Sequence, residues 1–149
     1  MRAVVQRVNG AQVTVGEEVT GRIERGLLIL IAFHQSDSEA NIPWMAEKLV
    51  NLRIFEDDAG KMNRSLIDVE GSLLVVSQFT LYGDCSKGRR PSFIDSARPE
   101  VAEPLYLKFI EYLKRFALTV ATGRFGADMQ VKLINDGPVT LIIDSPDNR

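Results

Sequence analysis

Residues 26–33 read GLLILIAF, apolar at every position and closed off by Arg25 on one side and His34 on the other. A strand with one wet face alternates apolar and polar residues, whereas a run without alternation suits a strand covered on both faces. GLLILIAF is therefore expected to be the core strand in the middle of a sheet, and the rest of the chain is read outward from it.

Toward the N-terminus, Ala3 and Val5, and less cleanly Val13 and Val15, recur at period two, which predicts strands, with Gly10, Gly16 and Gly21 expected at turns. Beyond the polar stretch HQSDSEAN, residues Ile42 to Leu52 place Trp44, Met45, Leu49 and Leu52 at helical spacing. Pro43 falls in the first turn, where its missing N–H costs least. RIF, the turn EDDAGK and an irregular MNRSLIDVEG lead to SLLVVSQFTLYGD, which begins as a strand. Ser86 to Ala97 form a polar, basic loop. A second helix is predicted over Pro99 to Phe116, with Leu105, Phe109, Tyr112, Leu113 and Phe116 on one face. LTVAT, the turn GRFGA, DMQVKLI, the turn NDGP and VTLIID read as three further strands. Strands flanking two helices give an α+β class with mostly antiparallel pairing, and residues 1–149 have the length of a single domain.

Composition limits the function. With 45% hydrophobic residues the chain can build one sizeable core, and 18 basic against 20 acidic residues leave any nucleic-acid partner to a local patch. One histidine, His34, and one cysteine, Cys85, cannot assemble a His/Cys zinc site. A lone thiol suits a reducing cytosol, so the expected location is cytoplasmic; no targeting signal or membrane span is expected. Neither a metal nor a cofactor is expected.

Five constellations can carry chemistry, each with a plainer alternative. Ser77, Gln78, Phe79 and Thr80 end a strand with hydroxyls, an amide and an aromatic. No HxxE, GxSxG or SxxK pattern supplies a base, so both hydroxyls also read as ordinary strand-end groups. Asn135-Asp136-Gly137-Pro138 reads first as a hairpin loop, although proline leaves a cis peptide open. Lys87, Arg89 and Arg90 can neutralise phosphates or form a solvated run, and Phe93 beside them reads first as a packing residue. Arg7, inside an apolar strand, is expected to face solvent unless carbonyls fix it. GRFGADM places Phe125 and Met129 among glycines, able to receive a flat base or to turn over a core.

Taken in order, MRAVVQRV, NLRIFEDDAGKMN, VVSQFTL, GRRPSF, TGRFGADM and NDGPVT resemble successive motifs of the D-aminoacyl-tRNA deacylase family, over Met1 to about Asp144. The resemblance implies a barrel-like sheet core with two or three helices and hydrolysis of the ester of D-aminoacyl-tRNA. It further implies a homodimer with active sites at the interface, where a cis Gly137-Pro138 peptide reaches the partner's pocket as a chiral filter. In that frame Arg7 holds the peptide, the Ser77–Thr80 segment is catalytic, Phe125 and Met129 stand beside the terminal adenosine, and Lys87, Arg89 and Arg90 are candidate tRNA contacts. Arg64 after KMN, where an apolar residue is common, and Cys85, where threonine is frequent, depart from the family pattern. Two rival readings remain at this point: an RNA-binding module without catalysis, which has no need of Gly137-Pro138, and an unrelated serine or threonine hydrolase of small esters.

Overall fold

The computed structural model describes residues 1–146. Strand β1 (Arg2–Val15) turns at Gly16 into β2 (Glu18–Ile23) and then β3 (Gly26–Ala32). Helix α1 (Ile42–Asn51) follows, then a small hairpin of β4 (Phe55–Glu56) and β5 (Met62–Arg64), the one-turn α2 (Leu66–Val69), and β6 (Ser72–Ser77). A 3-10 turn at Phe79–Tyr82 and a long loop lead to α3 (Pro99–Leu113), after which β7 (Val120–Thr122) and β8 (Gln130–Asp144) return to the sheet.

β2 and β3 lie one after the other along the same edge of β1, antiparallel to it, and β8 runs antiparallel along the other edge. β6 pairs parallel to β3 and β7 parallel to β6, so the sheet is mixed. The parallel pairs follow from the helices: α1 lies on the path from β3 to β6 and α3 on the path from β6 to β7, and a parallel neighbour needs such a crossover. The far ends of the sheet curl toward one another, because Gly21 of β2 lies so close to β7 that a Cβ there would stand 2.3 Å from the Thr122 carbonyl oxygen. The result is a nearly closed, barrel-like roll with helices against one face.

The apolar run is buried on both sides, as its lack of alternation requires. Leu27, Ile29 and Ile31 join a cluster with Met45 and Leu49 of α1 and Leu105, Phe109 and Leu113 of α3. Leu28 points the other way, into a second cluster inside the roll with Val13, Leu74 and Val76.

Several expectations are corrected. β1 does not turn at Gly10, which at φ +155° sits where the register against β8 shifts between Val8 and Ala11; the glycine serves a bulge. Gly21 makes room for β7 rather than a turn. Asn135 to Pro138 do not reverse the chain, because β8 is one strand that pairs with β1 on both sides of them. Trp44 lies on the exposed side of α1, over the Lys48 ammonium at 5.2 Å, and the buried face is Ile42, Met45, Ala46, Leu49 and Val50. Inside MNRSLIDVEG, Ser65 and Asp68 form a reciprocal capping box that starts α2.

Candidate active site

β6 ends where its ladder with β3 runs out. Gln78 donates its N–H to the Ile31 carbonyl at 2.8 Å, and the chain then winds into the Phe79–Tyr82 turn. Five bonds hold that turn: the Gln78 side-chain amide donates to the Thr80 hydroxyl, Leu81 N–H to the Gln78 carbonyl at 3.2 Å, Ser96 Oγ to the Phe79 carbonyl at 2.9 Å, Gly83 N–H to the Thr80 carbonyl at 2.9 Å, and Arg2 Nη1 to the Leu81 carbonyl at 3.0 Å. The N–H groups of Phe79 and Thr80 open the turn and, as first-turn donors do, find no acceptor among the described residues.

Ser77, Gln78 and Phe79 line a cavity of about 560 Å³. Ile31 to Phe33 at the end of β3 form its floor, Phe93 and Ser96 to Arg98 one wall, and Phe125 to Ala127 with Met129 another. The loop between β7 and β8 aims Phe125 through two supports. Its ring packs against Tyr106, with centroids 5.8 Å apart, and the Tyr106 hydroxyl donates to the Val75 carbonyl at 2.8 Å. Burial drives the Tyr106 phenol well above its ordinary pKa, so it stays a neutral donor. The Met129 sulfur occupies the space beside Gly123, where a Cβ would stand 2.7 Å from it, and accepts the Arg124 N–H at 3.4 Å.

Arg98, itself exposed, is the one ionisable side chain among the residues lining this cavity. His34 stands outside, edge-on to Tyr82 at 5.4 Å with its Nδ1 engaged by Ser36. Ser77 thus has a hydroxyl but no imidazole, carboxylate or amine beside it in the lining, and the Thr80 hydroxyl is engaged by the Gln78 amide.

The second motif is built on the β1–β8 pair. Between the matched pairs Gln6↔Thr140 and Val8↔Asn135, β1 has only Arg7 while β8 has four residues, so β8 throws out a bulge. Asn135 staples its neck: Oδ1 accepts the Val139 N–H at 3.1 Å and Nδ2 donates to Thr140 Oγ1 at 3.0 Å. Val139 points into the main core, which leaves Gly137 and Pro138 exposed at the tip, joined by a cis peptide. Gly137 has φ +126°, a region essentially reserved for glycine, and a Cβ would meet Val139 Cγ2 at 2.8 Å and Arg7 Nη2 at 3.2 Å.

Arg7 does not face solvent. Period two puts it on the same face of β1 as Ala3 and Val5, and it is only 6% exposed. Carbonyls make that tolerable: Nη1 donates to Ile54 O at 2.7 Å and Nε to Asp136 O at 3.2 Å, with the Asp136 carboxylate also at 3.2 Å from Nε.

Within one chain the two motifs are not brought together. Ser77 to Phe79 share the cavity with Phe125 and Met129, while Thr80, Gly137, Pro138 and Arg7 do not line it. Lys87, Arg89 and Arg90 are exposed on the loop after the 3-10 turn and form no ion pair among the described residues. Arg64 is tied to Asp58 at 2.9 Å, and Cys85 is exposed. Sequence reasoning missed Ser96 and Arg98, which reach the site from a loop without periodicity, and Tyr106, whose place on the buried face of α3 was the available signal.

Comparison with known proteins agrees over nearly the full length. The model of the D-Tyr-tRNA(Tyr) deacylase family matches residues 4–144. The chain is 58% identical to the D-aminoacyl-tRNA deacylase of Petrotoga mobilis, with 97% of each chain covered, and 59% identical to that of Chlorobaculum parvum, with 98% and 99% covered. A solved structure titled c-Myc DNA Unwinding Element Binding Protein superposes with a TM-score of 0.92 at 43% identity, covering 99% of this chain and 100% of that one. A probable eukaryotic D-amino acid tRNA deacylase shares the fold at a TM-score of 0.83 and 20% identity, over 95% and 97% of the two chains. With a family match from Val4 to Asp144 and relatives this similar end to end, the chain belongs to the D-Tyr-tRNA(Tyr) deacylase family.

Proposed function

We propose that the cavity at the end of β6 binds the terminal adenosine of tRNA and its aminoacyl ester, and that main-chain groups and the RNA itself perform the cleavage. As a member of its family the protein hydrolyses D-aminoacyl-tRNA to free D-amino acid and tRNA. The observation that carries the mechanistic reading is the lining: hydroxyl, amide, main-chain and apolar groups with a single arginine, and no side chain able to act as a base.

An aminoacyl ester is already labile in water, so orientation and polarisation suffice. Fixing the reactants can contribute roughly 7–11 kcal/mol, and one well-aimed oxyanion donor about 2.7–4 kcal/mol. The N–H groups of Phe79 and Thr80 are the donors available at the turn; a water held by the ribose 2′-hydroxyl attacks the ester carbon, and the bond to the ribose 3′-oxygen breaks, that oxygen leaving with the proton the water gives up. Phe125 and Met129 flank the adenine. Lys87, Arg89 and Arg90, which form no ion pair among the described residues, take backbone phosphates.

Selection belongs to Gly137 and Pro138. Their carbonyls hold the substrate amino group and leave no space on the L side, so an L residue is rejected by clash. Because the tip does not line its own chain's cavity, the filter acts across a homodimer. β8 favours such pairing: among the described residues this long strand pairs with β1 alone, and its Ile134, Leu141 and Ile142 are exposed. Glycyl-tRNA, with no side chain to clash, is also a substrate, and several D-amino acids are accepted. Among the described residues no helix is long and apolar enough to cross a membrane; the cytoplasm, where charged tRNA is used, is the proposed location.

The test incubates the protein with matched D- and L-tyrosyl-tRNA, with and without a chelator, and repeats the D substrate with a 2′-deoxy terminal adenosine. Cleavage of D over L that survives chelation is expected, with strong slowing by the 2′-deoxy substitution. Unchanged turnover on the 2′-deoxy substrate refutes the role of the 2′-hydroxyl in holding the attacking water. A trapped acyl-enzyme abolished in Thr80→Ala would replace the scheme with a threonine nucleophile.

A further inference from the structure

The outer wall of the cavity mouth carries features that cleavage alone does not use. Phe79 and Phe93 meet edge to face with centroids 5.2 Å apart, yet remain 56% and 39% exposed, and Ile94 next to them is 76% exposed. Gly83 permits the approach, since a Cβ there would stand 2.9 Å from Phe93 Cε1. The loop beside this apolar shelf is pinched at its neck by paired main-chain bonds between Asp84 and Ser92, at 2.7 and 2.9 Å, and displays Lys87, Arg89 and Arg90 beyond the pinch. Exposed rings next to exposed cations are what a single-stranded nucleic acid requires: faces on which bases stack and charges that follow the phosphates.

A strand whose last nucleotide fills the cavity can leave past this shelf or past Phe125. The second exit is electrostatically poor. It is lined by Glu103 and Glu111, and its cations are already engaged, Lys114 with Glu111 at 3.0 Å and Arg124 with Glu18 at 2.8 Å.

Resting on the reading that the terminal adenosine occupies the cavity, we propose that the shelf is a second nucleotide subsite. The base preceding the adenosine stacks on Phe93 and Ile94, and the cationic loop receives its phosphate. The protein then reads its RNA through at least two nucleotides, and the short 3′ single strand, not the duplex stem, supplies the first increment of affinity beyond the adenosine.

The experiment compares kcat/KM for the 3′ D-tyrosyl esters of adenosine and of the dinucleotide CpA. One stacked base corresponds to a gain of about 5- to 150-fold, so the wild type is expected to prefer the CpA ester by at least about fivefold. Ile94→Ala is expected to lose several-fold of that gain while cleaving the adenosine ester at the wild-type rate; Phe93→Leu, which keeps the apolar contact with Phe79, lowers the gain as well. Equal rates on the two esters in the wild type overturn the subsite. So does an Ile94→Ala protein that keeps the full gain, or one whose only change is weaker self-association, which would assign the shelf to a second copy of the chain. Failure of the wild type on both esters and on D-tyrosyl-tRNA overturns the underlying reading instead.

Discussion

Replacing Arg7 with alanine removes a buried cation from between two elements. The Ile54 carbonyl loses a charged donor at 2.7 Å and, on a residue that is itself buried, regains little water; an acceptor stranded in this way costs about 1–3 kcal/mol. The Asp136 contacts at 3.2 Å count for less, because that side chain is 39% exposed and water restores part of its solvation; about 0–1 kcal/mol is the scale for such a pair. Adding the packing of the lost aliphatic stem, the total is about 2–4 kcal/mol. In a chain of this size that lowers Tm by roughly 5–15 °C. Arg7→Lys keeps the charge but offers one point donor where the guanidinium spans Ile54 and Asp136, so it recovers no more than half. Urea denaturation gives the stability term. Deacylation of D- and L-tyrosyl-tRNA, measured where both variants are folded, gives the positioning term: activity on the D substrate falls at least tenfold and discrimination narrows. A variant within about 0.5 kcal/mol of wild type, the range of an ordinary surface substitution, refutes the energetic reasoning. A destabilised variant with unaltered discrimination refutes the claim that Arg7 positions the Gly137-Pro138 tip.

Gly137→Ala forces a side chain onto a backbone at φ +126° with Val139 Cγ2 at 2.8 Å; a cost of about 1–3 kcal/mol in denaturation and loss of D selectivity are expected, and a neutral substitution would contradict both. Removing Lys87, Arg89 and Arg90 together flattens the dependence of log affinity for uncharged tRNA on log salt by about 2, from roughly 0.7 per phosphate contact on a single strand; an unchanged slope means that these cations stay in water. Hydrogen bonds from the Ser86 side chain and main-chain N–H hold the Asp84 carboxyl below its ordinary value. Its contribution to the neck of the cationic loop is therefore complete above the unfolded aspartate range near 4 and is lost as pH falls through the lower folded value. The Ser86 amide resonance should titrate below that range, and titration above it would reverse the sign.

Much of this molecule is written in local pattern. The apolar run from Gly26 states its own double burial, and α1 and α3 carry Pro43 and Pro99 in their first turns, where the spacing places them. What local pattern cannot encode is the direction in which a strand meets a distant neighbour: β6 lies parallel to β3 only because α1 is laid across the sheet between them. Asn135-Asp136-Gly137-Pro138 is harder still, since a hairpin and a bulge ask for the same residues. The difference is made by Arg7, over a hundred positions earlier, which clamps the segment while both flanks stay paired with β1. Arg7 itself looks misplaced in an apolar strand until Ile54 and Asp136 are seen to face it. The cavity was legible at Ser77 to Phe79 and at Phe125 and Met129. Ser96 and Arg98 were not, being delivered by a loop whose course is set by contacts such as Ser96 with the Phe79 carbonyl.

The lining of the cavity has a practical corollary. Reagents that discover hydrolases by reacting with them, fluorophosphonates at activated serines and haloacetamides at activated thiols, depend on a nucleophile sharpened by a neighbouring base. Neither Ser77 nor Ser96 has one in the lining, and Cys85 does not line the cavity. Activity-based profiling would pass over this enzyme in silence, and a covalent inhibitor has no warhead target at its centre. Stable mimics of the ester, holding an amide or a sulfonamide where the scissile oxygen stands, are the chemistry its architecture invites.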